Sequence, residues 1–145
     1  MVLNDGDIFD YNAVVGKRTT DRGFGAAPAY VNGETVDTIG GGICQVSSTI
    51  YYAALLSNLE IVERYAHRYA PSYITWGMDA TVSWGGPEFR FKNDTGYPVR
   101  LDVTYENSRI TVSVEPWVLR EEYILRFRHW SRDRSCRQNR GSWFP

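Results

Sequence analysis

Apolar residues between positions 44 and 59 recur at helical spacing on two faces of one segment. The first face carries Val46, Ile50, Ala53 and Ala54, and the second carries Tyr52, Leu55, Leu56 and Leu59. A helix that is apolar on two faces is a buried helix. The pattern therefore predicts a buried helix from Cys44 to about Ser57, with Asn58 as a left-handed stop and a strand from Leu59 to His67.

From Asp79 onward the apolar period changes to two residues. Apolar and polar residues alternate in four short runs, separated by Gly, Asn, Asp and Ser, over residues 79–84, 89–92, 99–105 and 110–114. Such alternation is typical of antiparallel strands with one buried face. The sequence thus predicts an α+β fold in which one buried helix packs on an antiparallel meander.

The first 39 residues read as short extended pieces between turns, with one clear hairpin signal. Asn32-Gly33 separates two β-favouring runs within residues 29–36. This dipeptide favours the two-residue turns that join antiparallel strands. We therefore expect a hairpin centred on these two residues.

Composition and charge limit the classes of protein to which this sequence could belong. The 145 residues suffice for one domain with a real core. Residues 1–118 hold 9 basic and 14 acidic side chains, whereas residues 119–145 hold 7 basic and 3 acidic ones. Because the body has no basic stripe, nucleic-acid binding is not expected. The sequence predicts a folded domain over 1–118 and a basic, irregular tail over 119–145.

The chain has few metal-ligating residues and no membrane signal. Cys44, Cys136, His67 and His129 are its only cysteines and histidines, and no carboxylates stand at metal-ligand spacing near them. We expect neither a metal, nor another cofactor, nor a disulfide framework. No apolar run approaches the roughly 20 residues of a membrane span, and no signal peptide follows Met1. We expect either a cytosolic protein or a domain of a longer chain.

Cys44 stands directly behind Gly40-Gly41-Gly42, where the predicted helix begins. Unpaired N–H groups and the helix dipole at that end favour the thiolate, which is the nucleophile. The glycines permit a tight turn and leave space for a substrate to reach the sulfur. The N–H of Cys44, with the N–H or side-chain amide of Gln45, would face an oxyanion. The alternative is that Cys44 is a small buried apolar residue.

A catalytic cysteine needs a base and a residue that orients the base. His67 ends the predicted strand after the helix, and Asp79 opens the next one, with Asp94 and Asp102 as weaker partners. The order Cys, His, Asp along helix, strand, strand is that of papain-like and transglutaminase-like folds, which is an analogy of fold. The alternatives are a structural histidine and a strand-end aspartate.

Three hydroxyl side chains, Ser47, Ser48 and Thr49, follow the cysteine. A serine nucleophile would need a Gly-x-Ser-x-Gly elbow or Ser-x-x-Lys spacing, and both are missing, as is a phosphate loop. We interpret them as first-turn residues that bond nearby backbone or line the cleft. Beside the catalytic Cys44, His67 and Asp79, the predicted oxyanion or substrate-binding residues are Gly41, Gly42, Gln45, Ser47 and Ser48.

Three blocks of this sequence resemble the VanW-like domain family. They are VLNDGDIFDYNAVVGKRT, then GGGICQVSSTIYYAALL with LEIVERYAHR, then DATVSWGG with FRFKNDTGYPVRL. The resemblance covers about residues 2–105, with GGGICQVSST the most specific part. It implies a catalytic domain of an exported or membrane-anchored protein of Gram-positive bacteria, at the extracellular face of the cell envelope beside peptidoglycan-binding domains. It also implies an L,D-transpeptidase with Cys44 as nucleophile, His67 as base and Asp79 as its partner.

Three functions follow from the residues and the resemblance together. In the first, Cys44 forms a thioester with a peptidoglycan stem peptide, and the amine of a second stem resolves it as a cross-link. In the second, a hydrolase uses the same residues on the same peptides with water as acceptor. In the third, a non-catalytic wall-binding domain grips glycan through its tyrosines and tryptophans, and Cys44 is incidental.

Overall fold

The structure is a computed structural model that describes residues 1–31 and 34–117. In chain order these residues form β1 (Val2–Leu3), β2 (Ile8–Asp10), α1 (Tyr11–Val15), a 3₁₀ helix (Thr20–Arg22), β3 (Ala26–Val31), β4 (Glu34–Ile39), α2 (Ile43–Leu56), β5 (Glu60–Glu63), β6 (Arg90–Lys92), β7 (Val99–Glu106) and β8 (Arg109–Pro116). Helices combined with antiparallel sheets agree with the predicted α+β class. The predicted basic tail, with His129 and Cys136, lies outside the described residues.

The strands form two three-stranded sheets and one separate hairpin, not one meander. The sheet orders are β1–β7–β8 and β2–β6–β5, and β3 pairs with β4. Strands β1 and β2 come from the N-terminus, yet they pair antiparallel with β7 and β6 respectively. The predicted meander was wrong because alternation shows which face of a strand is buried and not which strand lies beside it.

Two tight hairpins agree with their turn signals. In β3–β4 the last pair joins Val31 to Glu34, in agreement with the predicted hairpin, and the predicted turn residues Asn32 and Gly33 themselves lie outside the described residues. In β7–β8 the turn residues Asn107 and Ser108 have φ values of 51° and 59°. Left-handed conformations at both central residues match the right-handed twist of the flanking strands.

Helix α2 is the buried helix that the sequence predicts, within one residue at each end. It ends before Asn58, whose φ of 54° confirms the left-handed stop. Its apolar face, including Ile50 and Tyr51, packs on a cluster of phenylalanines. The rings of Tyr51 and Phe89 form a T-shaped pair with a centroid distance of 5.7 Å. No helix within residues 1–31 and 34–117 is long and apolar enough to cross a membrane.

Two predicted strands differ from the observed structure, and both differences affect the candidate site. Strand β5 ends at Glu63 after an irregularity in its pairing, so His67 lies in the loop beyond it. Residues 79–84 are outside any assigned strand. Thr81 N–H donates to the Tyr65 carbonyl, but the backbone of Ala80 and Val82 bonds to side chains of α2. Hydrogen bonds from a helix therefore replace strand pairing in this segment.

Candidate active site

Two glycines shape the turn that leads into α2. Gly41 packs so closely that an added Cβ would collide with the carbonyl oxygen of Ala27 in β3. Gly42 precedes the helix with a φ of 81°, which strains any residue with a side chain. Nothing lies within 4 Å of a Cβ built on Gly42, so this glycine leaves the approach to Cys44 open.

Cys44 is the second residue of α2, and its partly buried side chain faces Thr81 and Val82. Its Sγ lies 3.5 Å from both the nitrogen and the carbonyl oxygen of Val82 and 3.7 Å from Oγ1 of Thr81. Burial raises the pKa of Cys44. Hydrogen bonds with His67, Val82 and Thr81, together with the charge of His67, lower this pKa by more than burial raises it. The net pKa lies below the ordinary thiol value, which favours the thiolate.

The imidazole of His67 is held by the carboxylate of Asp79. Oδ2 of Asp79 accepts the backbone N–H of His67 at 2.6 Å and lies 2.7 Å from its ring Nδ1. An ionised carboxylate only accepts, so Nδ1 carries the proton and Nε2 is the basic nitrogen. Hydrogen bonding with Cys44 is the largest effect on the pKa of His67 and raises it. Burial lowers this pKa, but the hydrogen bond and the charge of Asp79 raise it again, so that the net pKa lies above the ordinary value.

Arg64 fixes the other side of the Asp79 carboxylate. Its Nη2 donates to Oδ1 at 2.9 Å, and its Nε donates to the Asp79 backbone carbonyl at 2.7 Å. Its guanidinium also lies over the Tyr51 ring, 5.1 Å from the centroid. Burial raises the pKa of Asp79, but hydrogen bonds from His67 and the charge of Arg64 bring it below its ordinary value. Asp79 is therefore a buried, ionised and fully oriented carboxylate.

Cys44 and His67 line one groove of about 980 Å³. Gly41, Gly42 and Gln45 line the same groove, so five of the predicted site residues meet there. The backbone N–H of Gln45 donates to the Gly42 carbonyl at 3.0 Å and is not free for an oxyanion. The predicted oxyanion donors thus reduce to the Cys44 N–H and the Gln45 side-chain amide.

Ser47 and Ser48 do not belong to the groove, although the sequence interpretation included them among its substrate-binding residues. Both are fully buried. Ser47 donates to the Ala80 carbonyl at 2.6 Å, and Ser48 accepts the Ala80 N–H at 3.0 Å. Because their hydroxyls replace strand partners for this backbone, they fasten the 79–82 segment to α2. Of the two interpretations that the sequence allowed, the one in which these serines bond nearby backbone is correct, and the one in which they line the cleft is wrong.

Three side chains contribute to the site without having been predicted. Thr81 contacts the thiol, Arg64 holds Asp79, and Tyr73 places its Oη 3.3 Å from Nε2 of His67. Burial raises the pKa of Tyr73 to about 12, so this phenol is a hydrogen-bond donor at neutral pH. Thr81 shares a polar face with Asp79 at a spacing of two, a signal that could have found it. No pattern marks Arg64 or Tyr73.

The remaining acidic candidates lie elsewhere. Asp102 pairs with Arg100, and neither Asp94 nor Asp102 lines the groove. Among the described residues, no cluster of three or more His, Cys, Asp or Glu side chains could hold a metal. A thiol of low pKa, a histidine and a buried carboxylate are the residue types of nucleophilic acyl chemistry.

Comparison with known proteins gives two relatives and a family. YoaR, an uncharacterized protein of Bacillus subtilis (strain 168), is 48% identical over 100 residues, which are 69% of this chain and 33% of YoaR. The vancomycin B-type resistance protein VanW of Enterococcus faecalis (strain ATCC 700802 / V583) is 27% identical over 115 residues, which are 76% of this chain and 42% of that protein. The chain thus spans less than half the length of either relative.

No solved structure matches the chain, and the papain-like or transglutaminase-like arrangement stays a prediction. The family model described as VanW like protein matches residues 1–115, which include every element from β1 to most of β8. With YoaR and VanW as relatives, the chain belongs to the VanW-like protein family.

Proposed function

We propose that this domain is a cysteine acyltransferase that acts on peptidoglycan stem peptides, as an L,D-transpeptidase. The observation that carries the proposal is that Cys44 and His67 line one groove, with Nδ1 of His67 on the buried carboxylate of Asp79. The name of one relative refers to vancomycin resistance. That name and the family resemblance direct the proposal to the cell wall.

In the first step, the thiolate of Cys44 attacks the carbonyl carbon that precedes the terminal D-amino acid of a donor stem. The protonated Nε2 of His67 gives its proton to the leaving nitrogen as the C–N bond breaks. The products are a thioester on Cys44 and the free D-amino acid. The Cys44 N–H and the Gln45 amide would stabilise the oxyanion that forms in between.

In the second step, the side-chain amine of an acceptor stem attacks the thioester carbonyl. Nε2 of His67 takes a proton from that amine, the C–S bond breaks, and the thiolate of Cys44 is restored. The new amide is the cross-link. Asp79 keeps its charge throughout, because its role is to orient the imidazole and stabilise its protonated form.

A synthetic stem tetrapeptide supplied with and without an acceptor amine tests this function. The readouts are the mass of the acid-quenched protein and of the released peptides, for the wild type and Cys44→Ala. A thioester adduct with cross-linked peptide, absent from Cys44→Ala, is the expected result. Trimmed peptide alone would show the hydrolase. No adduct and no product would overturn the catalytic proposal and favour the wall-binding domain.

Thiol reactivity provides a second, substrate-free test of the nucleophile. Cys136 lies in the same chain and gives an internal comparison for iodoacetamide labelling followed by peptide mass mapping. We expect Cys44 to react faster than Cys136 near neutral pH, because its thiolate is favoured. Equal or slower labelling of Cys44 would contradict its role as nucleophile.

A further inference from the structure

The groove that contains Cys44 has a charge opposite to that of the domain around it. Residues 1–118 carry 14 acidic and 9 basic side chains. Three of those basic side chains, Lys17, Arg18 and Arg68, line the groove, and no Asp or Glu among the described residues does so. Like-signed charges along a concave wall concentrate counter-charged solutes within it.

None of these three cations has an ion-pair partner among the residues that the structure describes. Arg18 differs most from an ordinary surface arginine. Its Nε and Nη2 are enclosed and make no hydrogen bond to the described part of the chain. Enclosing two guanidinium nitrogens without a hydrogen-bond partner or a counter-charge is costly to the free protein, and an anion that reaches the group compensates this cost.

Arg18 is also fixed in place near the start of α2. Its Nη1 donates to Oδ1 of the buried Asn12, and its guanidinium lies over the Tyr11 ring, 5.6 Å from the centroid. The hydroxyl of that same Tyr11 donates to the carbonyl of Ile43 at 3.1 Å, one residue before Cys44. The charge therefore stands about one side chain away from the start of α2.

We propose that Arg18, flanked by Lys17 and Arg68, binds a free carboxylate of the acyl donor and makes the groove selective for anionic stem peptides. This proposal rests on the proposed function for its substrate, while the charge of the groove rests on the structure alone. Two carboxylates of a stem peptide offer the same chemistry, one at the C-terminus of the leaving residue and one on a side chain. Either carboxylate is within one or two residues of the scissile bond. Because an extended residue spans about 3.5 Å, a donor bound at Cys44 would place its carboxylate a short distance along the groove.

The first experiment compares the alkylation rates of Cys44 by iodoacetate and iodoacetamide, which differ in charge and hardly in size. We expect the rate ratio of iodoacetate to iodoacetamide at Cys44 to exceed that of a small free thiol roughly tenfold at low salt and to fall as salt is added. Arg18→Gln should remove most of this excess, and Arg18→Lys should retain part of it. Arg109→Gln makes the same change of charge at the start of β8, outside the groove, and should leave the ratio unchanged.

The second experiment compares three tetrapeptide donors: one with free carboxylates, one amidated at the C-terminus, and one amidated at the side-chain carboxylate. We expect one of the amidated donors to acylate Cys44 at least about tenfold more slowly, which identifies the carboxylate bound. Arg18→Gln should slow the free donor to that rate and leave the amidated donor unaffected. A purely structural role of Arg18 would instead slow all three donors in proportion.

The two experiments separate failure of this proposal from failure of the proposed function. An alkylation ratio at Cys44 equal to that of a free thiol, or equal acylation by all three donors, would overturn the carboxylate site. A raised, Arg18-dependent ratio without acylation by any donor would overturn the transpeptidase and leave an anion-binding groove beside a reactive thiol.

Discussion

Asp79 holds His67 at two points, since one carboxylate oxygen lies 2.6 Å from its backbone nitrogen and 2.7 Å from its ring Nδ1. The loop that follows β5 and the extended segment that follows residue 78 are thereby joined at the edge of the groove. The Asp79 end of this link is secured twice, because Arg64 holds the Asp79 carboxylate and Ser47 and Ser48 hold the backbone of the neighbouring Ala80. The position and the tautomer of the imidazole follow from the same contact.

Asp79→Asn tests this link. The asparagine side chain can donate to Nδ1, which would place the proton on Nε2 and remove the base that faces the substrate. We expect acylation of Cys44 by a stem peptide to fall roughly 10²- to 10⁴-fold. Asp102→Asn, at a carboxylate that pairs with Arg100 outside the groove, is the control and should keep full activity. Similar losses in both variants would contradict the assignment of Asp79.

The pH dependence of Cys44 alkylation tests the effect of His67 on the thiol. The wild type should titrate below the ordinary pKa of 9.0, because hydrogen bonds with His67, Val82 and Thr81 and the charge of His67 together outweigh burial. In His67→Ala burial remains and its largest opposing contact is lost, so the apparent pKa should rise. A rise of one unit lowers the alkylation rate at pH 7 about tenfold. An unchanged titration in His67→Ala would show that the two side chains are independent.

Tyr73→Phe tests the phenol beside the basic nitrogen. The hydroxyl of Tyr73 lies 3.3 Å from Nε2 of His67, and we expect it to compete with the thiol of Cys44 for this nitrogen in the free protein. One such hydrogen bond is worth about 1 kcal/mol, so we expect alkylation of Cys44 to become about fivefold faster. Tyr69→Phe, at another tyrosine that lines the groove, is the matched control. A slower reaction in Tyr73→Phe would mean that the phenol supports the imidazole.

Arg64→Met tests the energetic weight of the Asp79 contacts. Removing the guanidinium leaves a buried carboxylate with one partner fewer, and we expect a loss of about 3 kcal/mol in the free energy of unfolding at pH 7. Arg90→Met breaks the more exposed pairs with Asp10 and Glu63 and should cost clearly less than Arg64→Met. Urea unfolding of both variants measures the difference, and equal losses would argue against a special role of Arg64.

The pH dependence of that loss has a definite sign. The folded pKa of Asp79 lies below 3.8, so its charged form contributes stability that is present above pH 3.8 and is lost as pH falls through the folded pKa. The folded pKa of His67 lies above 6.5, so its contribution is complete below pH 6.5 and is lost as pH rises through that higher value. The cost of Arg64→Met should therefore shrink in acid, and a constant cost down to that range would contradict the ionised Asp79.

Gly41→Ala and Gly42→Ala separate the two roles of the glycines before α2. At Gly41 the new methyl group would collide with the β3 backbone, and we expect a loss of about 2 kcal/mol in the free energy of unfolding together with slower alkylation of Cys44. At Gly42 space is open, and the strain of the left-handed conformation should cost about 1 kcal/mol. Chemical unfolding of both variants checks the order, and a milder effect at Gly41 would contradict the packing against β3.

Sequence patterns predicted the features of this protein that depend on neighbours along the chain. The buried helix, the stop at Asn58 and the pairing of β3 with β4 each follow from spacing or from the backbone preference of one or two residues. The choice of Cys44, His67 and Asp79 followed from residue chemistry together with their order along the chain. The structure supplies the contacts of these three residues, and their catalytic role stays a proposal.

Only the tertiary structure decided what each element packs against. Alternation over 79–84 marked a buried face, but the backbone of this segment bonds to Ser47, Ser48 and Cys44 instead of to a strand. Arg64 and the cationic wall around Arg18 carry no local signal, because an arginine has the same local preference wherever its charge is placed. Local physics fixes which face of a segment is buried, whereas partners distant in the chain are fixed by the packing of the whole domain.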